Sequence, residues 1–173
     1  MTRQYRYSAS IIAALLATGC APMIVTFNVV DFPKKEPLKP CDTNGNCPMQ
    51  IYARTNAKDE CEVMPEFDTV RVGVGYTPNM RWEIEPLDTD GKYEFRFKSS
   101  GIVISGNTPA DFSGGGFGSS HGREDKAKFT WKNNHGRSLP TAPFDYEINV
   151  ERSLADKDAW SPCTRVDPKI VNE

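Results

Sequence analysis

Residues 144–151 have the sequence FDYEINVE, in which apolar and polar side chains alternate at every position. A period of two places alternate side chains on opposite faces of a β-strand, so this segment predicts a strand with one face against a core. The same alternation recurs in residues 70–76, 82–85 and 93–97. Four half-buried strands indicate a body built from sheets.

Residue usage also favours strands over helices. From residue 20 onward the chain contains 44 Val, Ile, Phe, Tyr, Trp and Thr residues against 12 Leu and Ala, and the larger group consists of strand-favouring types. We therefore expect an all-β fold, an antiparallel two-sheet β-sandwich of about 7–9 strands, with residues 49–173 as the sandwich domain. Shorter strand candidates lie at residues 24–30, 49–54, 102–105 and 128–132.

Three connecting segments carry turn or breaker residues. Residues 88–91, Asp-Thr-Asp-Gly, predict a hairpin turn between the strands at 82–85 and 93–97. Residues 33–40 contain three prolines and predict a connector in the polyproline II conformation. Residues 20–48 are accordingly assigned to the N-terminus of the mature chain, a first strand candidate and this connector.

The N-terminus has the organisation of a targeting segment. Arg3 and Arg6 precede an apolar stretch at residues 8–18, and small residues follow. A positive start, a short apolar core and a small-residue cleavage site define a secretory signal peptide, here residues 1–19. The stretch is shorter than the roughly 20 apolar residues of a membrane span. The alternative is an uncleaved anchor that extends through Val30 and carries polar residues at membrane depth.

Residues 16–20, Leu-Ala-Thr-Gly-Cys, resemble the lipobox of bacterial lipoproteins. The resemblance implies that Cys20 becomes a thioether-linked diacylglyceryl residue with a palmitate-type acyl group on its amine. Several acyl chains anchor a protein stably, at about 0.8 kcal/mol for each buried methylene. Ala21, rather than Asp, follows the cysteine, which by the same resemblance implies an outer-membrane lipoprotein facing the periplasm. The alternatives are inner-membrane retention and a secreted protein with a free Cys20.

The charge balance limits the partners. The chain has 21 Lys+Arg against 23 Asp+Glu, and the mature chain loses Arg3 and Arg6. No nucleic-acid partner is expected, because such partners need a basic footprint. An acidic body is not held to an anionic membrane by its charge. The expected partners are the membrane, through the lipid anchor, and another envelope protein.

Four cysteines follow Cys20. An even number of cysteines in a secreted chain predicts disulfides, here two. An Asn-Gly turn lies midway between the first two cysteines, so the chain doubles back there. We therefore favour one pair between these two and a second pair that closes a long loop, over a zinc site, which needs closely spaced ligand pairs. The favoured pairs are Cys41–Cys47 and Cys61–Cys163.

Residues 113–122, SGGGFGSSHG, predict a long mobile loop at one end of the sandwich. Loops often carry binding residues, so Phe117 at its tip and His121 are candidate ligand contacts. His135 lies in a similar polar segment and completes the candidate set. A metal site would combine the two histidines with a third ligand brought in by the fold. No metal or other cofactor is expected.

No catalytic residue is predicted. Ser119, Ser120 and His121 are neighbours in sequence, which does not by itself give the geometry of a catalytic triad. The Gly-rich segment lacks the Lys-Ser/Thr that follows a phosphate-binding loop. We therefore expect a protein that is not an enzyme.

The order of motifs from Trp82 onward carries a second resemblance. It contains a Trp strand, an aromatic strand, Gly101-Ile102, an F-x-W strand, an F-x-Y-x-I-x-V strand and a closing D-P-x-I-x-N. This order resembles small bacterial sandwich domains with a cupredoxin-like layout, and an immunoglobulin-like sandwich explains it almost as well. Cupredoxins bind copper through two His, a Cys and often a Met. Ile148 and Val150 occupy the strand that would supply the Cys, so the resemblance implies the fold without the copper site.

These observations lead to three functional hypotheses. The first is a lipid-anchored cell-envelope protein that acts as a non-enzymatic binding or assembly module. The second is a periplasmic accessory domain that binds a metal or a small ligand through the Gly-rich segment and its histidines. The third is a hydrolase. A fold alone does not decide between them, because sandwiches host many unrelated activities.

Overall fold

The computed structural model describes residues 30–88, 90–106, 111–120, 123–134 and 143–172. The signal peptide, Cys20 and most of the strand candidate at 24–30 lie outside these ranges, and so do His121 and His135. Within them the chain forms eleven strands: β1 (Glu36–Pro40), β2 (Asn46–Thr55), β3 (Cys61–Pro65), β4 (Phe67–Val72), β5 (Asn79–Pro86), β6 (Tyr93–Ile104), β7 (Phe112–Ser120), β8 (Arg123–Asn133), β9 (Phe144–Leu154), β10 (Ser161–Pro162) and β11 (Lys169–Asn172).

The strands form two sheets packed face to face, which confirms the all-β sandwich. The first sheet has the order β1-β4-β11-β9-β10, with β6 also paired to β9. The second has the order β3-β2-β5-β8-β7. Both sheets are mixed rather than purely antiparallel, because β1 and β11 run parallel to β4, and β2 runs parallel to β5.

The predicted hairpin at residues 88–91 is wrong. β5 pairs with β2 and β8, whereas β6 pairs with β9 in the other sheet, so the connection crosses between the sheets. Asp88 accepts a hydrogen bond from the backbone N–H of Thr55, at 3.0 Å. Its carboxylate therefore holds the connection against the end of β2.

The Pro-rich segment also differs from the prediction, because residues 36–40 form β1 instead of a free connector. β1 pairs with β4 on one side and lies at the end of its sheet. An edge strand tolerates proline because the N–H groups on its open side have no strand partner. Within the described residues, the first strand of the sandwich therefore begins at Glu36.

The strand predicted at residues 70–76 ends early, at Val72. Gly75 has a φ of 86°, a backbone conformation that glycine adopts without strain. The chain turns there, and the backbone N–H of Tyr76 donates to the carbonyl of Gly73 at 3.2 Å. Val74, predicted to face the core, is 66% exposed in this turn.

Alternate residues of both sheets fill one core. Trp82 of the second sheet is completely buried and lies against Tyr146 of the first, with 5.5 Å between the ring centroids. Burial raises the pKa of the Tyr146 hydroxyl far above its ordinary value, because a phenolate would lose its hydration. Phe97 and Ile148 of the first sheet face Met80 and Ile51 of the second in the same interior.

Two disulfides connect the sheets, with the pairing that the sequence favours. Cys41 follows β1 in the first sheet and is bonded to Cys47 in β2 of the second. Cys61 in β3 is bonded to Cys163, which follows β10, across 102 residues of sequence. Such bonds form and persist in oxidising compartments, so they indicate an extracytoplasmic protein. In the described ranges no helix is long and apolar enough to span a membrane.

Candidate functional site

The pairing of β6 with β9 is broken at one point. The register changes from Phe97–Val150 to Ile102–Ile148. Residues 98–101 therefore lie opposite a single residue of β9, and three of them are extra. Bulges of this kind bend a strand and are frequent next to functional sites.

The pairing of β7 with β8 has a second break of the same size. The register changes from Phe117–Phe129 to Gly118–Asp125, which leaves residues 126–128 of β8 as extra. Asp125 fixes their shape, since it accepts bonds from the N–H of Ala127 at 3.0 Å and from the ammonium of Lys128 at 2.7 Å. The Lys128 bond is the main reason why the pKa of the Asp125 carboxyl is lowered.

One aromatic ring holds the two breaks together. Gly101, in the β6 break, has a φ of 49°, and a Cβ at this position would overlap the ring of Phe129. Phe129 is buried and also contacts Phe97 and Phe117 edge to face, at centroid distances of 5.9 and 5.5 Å. The bulged segments of β6 and β8 are therefore packed against one rigid cluster.

A surface groove of about 420 Å³ lies between these bulged segments. β6 contributes five successive residues, Arg96 to Ser100, and β7 contributes the half-buried ring of Phe117. Lys126, one of the extra residues of β8, also lines it. Glu151 of β9, which pairs with Arg96, completes the lining. The groove thus combines aromatic rings with hydroxyl and ammonium groups and one paired carboxylate.

The charges around the groove are unevenly compensated. Arg96 forms an ion pair with Glu151 at 2.6 Å and stacks on the ring of Trp160 at 3.6 Å, so its charge is compensated within the protein. In the described part of the chain, neither Lys98 nor Lys126 has a carboxylate within ion-pair distance. Two ammonium groups without an ion-pair partner can bind an anionic group. The aromatic ring beside them can stack against the apolar part of the same ligand.

A second cavity, of about 160 Å³, lies near Asp59. The hydroxyl of Tyr93 donates to Asp59 at 2.5 Å, and Arg152 contacts the same carboxylate at 3.2 Å. The Tyr93 bond is the main reason why the pKa of Asp59 is lowered. Arg152 also donates to the hydroxyl of Thr55 at 3.0 Å. This cluster joins the sheets beside the Cys61–Cys163 bond, and its charges are satisfied within the protein.

Of the predicted ligand contacts, only Phe117 lies in the described residues, and it lies in the groove. The predicted mobile loop at residues 113–122 is wrong for most of its length, because Phe112–Ser120 form β7. Phe117 is therefore fixed on a strand rather than held at a loop tip. His121, His135 and Cys20 lie outside the described residues. The described residues contain no cluster of three or more His, Cys, Asp or Glu side chains with the geometry of a metal site.

Residues 118–122, Gly-Ser-Ser-His-Gly, match the G-x-S-x-G pattern of serine hydrolases. In those enzymes the serine lies on a sharp turn between a strand and a helix. Here β7 ends at Ser120 and the antiparallel strand β8 begins at Arg123. The pattern therefore lies at a strand–strand connection, which does not supply the nucleophile elbow.

The sequence contains a signal for the bulge in β6, which is a change in the phase of its period-two pattern. The apolar positions of β6 change from odd numbers at Phe95 and Phe97 to even numbers at Ile102 and Ile104. A change of parity inside one strand requires a bulge between the two halves. Lys98 lies in that interval, whereas the position of Lys126 depends on a register that only the structure gives.

No family model matches the chain, and no curated protein matches it significantly.

Proposed function

We propose that this protein is a lipid-anchored module of the cell envelope that binds an anionic partner in the groove between β6 and β8. The observation that carries the proposal is the meeting of two three-residue register breaks, which places Lys98, Lys126 and Phe117 in the lining of one groove. Each break interrupts sheet hydrogen bonding at a cost in stability, and such irregularities are retained at sites that use them.

The lipid anchor rests on the lipobox-like residues 16–20 and on the extracytoplasmic location that the disulfides support. Arg54 contacts the residues that precede β1. It donates to the carbonyl of Val30 at 2.7 Å and stacks on the ring of Phe32 at 4.1 Å. Val30 lies ten positions after Cys20, and ten residues of fully extended chain span at most about 35 Å. The sandwich would therefore lie close to the membrane, with its N-terminal exit at the Arg54 end.

The anchor is tested by Cys20→Ser. We expect the variant to leave the membrane fraction after its leader is removed, since the acidic body has no charge attraction to anionic lipid. Mass spectrometry of the wild-type N-terminus should show the added acyl mass. A Cys20→Ser protein that still partitions wholly with membranes would contradict the anchor.

The binding site is tested by photo-crosslinking in intact envelopes. A photoreactive residue at Ser99, in the groove, should give a crosslinked product that decreases when Lys98→Gln and Lys126→Gln are combined. A photoreactive residue at Val74, which is exposed in a turn away from the groove, is the matched control. Equal products from both positions, or a Ser99 product that is indifferent to the two lysines, would contradict the site.

A further inference from the structure

β7 is the last strand of its sheet, and in the described part of the chain β8 is its only pairing partner. The open side of an edge strand carries unpaired N–H and C=O groups that can pair with another strand. Proteins usually protect such edges with charged residues or prolines.

The described edge strands differ in this protection. β1 contains two prolines together with Glu36 and Lys39, and β3 contains Glu62 and Pro65. β7, FSGGGFGSS, has four glycines, three serines and no charged residue or proline over nine positions. Within the described residues, the register irregularities are the only protection that this strand has against pairing.

The unprotected edge borders the groove. Phe117 belongs to β7 and lines the groove together with Lys98 and Lys126. Because Phe117 of β7 shares this lining, a segment that pairs with β7 at Phe117 would lie next to the groove that holds the two ammonium groups. Because neither has a carboxylate partner within the described residues, acidic side chains on the added segment are the complementary charge.

We propose that β7 binds an extended acidic peptide segment of a partner protein as an additional strand, with its carboxylates at Lys98 and Lys126. This inference rests on the proposed function and specifies its ligand. Main-chain hydrogen bonds to β7 supply part of the affinity, and the two lysines with Phe117 select the side chains. A phosphate or an acidic glycan could use the lysines but not the strand edge.

The experiment uses the mature chain and a library of short, end-blocked peptides in which Asp or Glu alternates with Val, Ile or Thr. We expect members of the library to bind and to slow hydrogen exchange at the amides of residues 116–119. N-methylation of successive peptide bonds should lower the affinity about tenfold at every second position and little at those between, because alternate N–H groups of a strand face its neighbour.

The lysines test the groove of the proposed function, whereas N-methylation of the peptide tests strand addition. Combined Lys98→Gln and Lys126→Gln should lower the affinity at least about tenfold, as expected for loss of two charge-assisted contacts, and circular dichroism checks that the variant is folded. Binding that needs the lysines but tolerates N-methylation everywhere would overturn strand addition and leave the groove intact. A library without a binder would also overturn it, and dextran sulfate as a second anionic probe would then test the groove alone.

Discussion

At the scale of single residues, the groove depends on how closely Gly101 approaches Phe129. The β6 backbone passes over the ring with a positive φ, so two requirements coincide at one position. A side chain there must both adopt an unfavourable backbone conformation and displace the ring that supports Phe117. Gly106 provides a matched comparison, because it has a φ of 68° and no atom within 4 Å of a Cβ built on it.

Gly101→Ala should therefore destabilise the protein more than Gly106→Ala. The backbone term is about 1 kcal/mol at both positions, and the overlap with Phe129 adds roughly 1–3 kcal/mol at Gly101 alone. Urea denaturation of both variants measures the difference. Equal losses would show that the ring does not constrain the β6 bulge.

Asp125 should make stability depend on pH. Its pKa is lowered in the folded state, so its contribution is fully present above the unfolded carboxyl pKa of about 4. The contribution is lost as the pH falls through the lower folded value. We expect Asp125→Asn to cost about 1 kcal/mol at neutral pH and progressively less toward pH 2. Denaturation at several pH values measures this, with exposed Glu124→Gln as the control, and a pH-independent difference would contradict it.

At the scale of elements, the sequence predicted strands better than it predicted their connections. Period-two alternation located β5 and β9 because each has one face in the core and one in solvent. It failed for β7, whose four glycines and three serines lack an apolar pattern, and for β1, whose prolines suggested a connector. Their strand conformation comes from pairing with β8 and β4, which no local pattern records.

The crossing connection after β5 gives an element-scale prediction. Asp88→Ala should accelerate hydrogen exchange at the Thr55 amide, because it removes the acceptor that holds the end of β2. Asp90 accepts a bond from the N–H of Lys92 in the same connection, so Asp90→Ala is the control and should leave Thr55 unchanged. If neither variant affected Thr55, Asp88 would not join the connection to β2.

At the scale of the whole molecule, the two sheets are joined by a shared core and two disulfides. Alternation and cysteine count predicted both features, since they depend on residue type and spacing. The direction of crossing between sheets and the register of β8 depend on long-range pairing, so the groove could not be predicted in full. Phe117 was a candidate contact from the sequence and Lys98 lies in the interval that the parity change marks, whereas the place of Lys126 in the groove comes only from the structure.

The disulfides should differ in what they contribute. In the chain-entropy model, a disulfide that closes a loop of about 100 residues adds about 4.7 kcal/mol to the free energy of unfolding. A disulfide that closes a loop of about six residues adds about 2 kcal/mol. Replacing Cys61 and Cys163 by Ser should therefore cost about twice as much unfolding free energy as replacing Cys41 and Cys47, whose separation is 6 residues. Urea denaturation of both double variants checks the order, and a larger loss for the short loop would contradict it.

We propose that the two register breaks form the binding site of this sandwich. The most direct measurement is an NMR titration of the mature chain with poly-glutamate, an anionic probe of simple chemistry. We predict that amide shift changes cluster at residues 96–100, 116–118 and 126–128, and that they disappear when Lys98→Gln and Lys126→Gln are combined. Changes spread over the surface, or centred on the Asp59 cavity and unaffected by the two lysines, would contradict the claim.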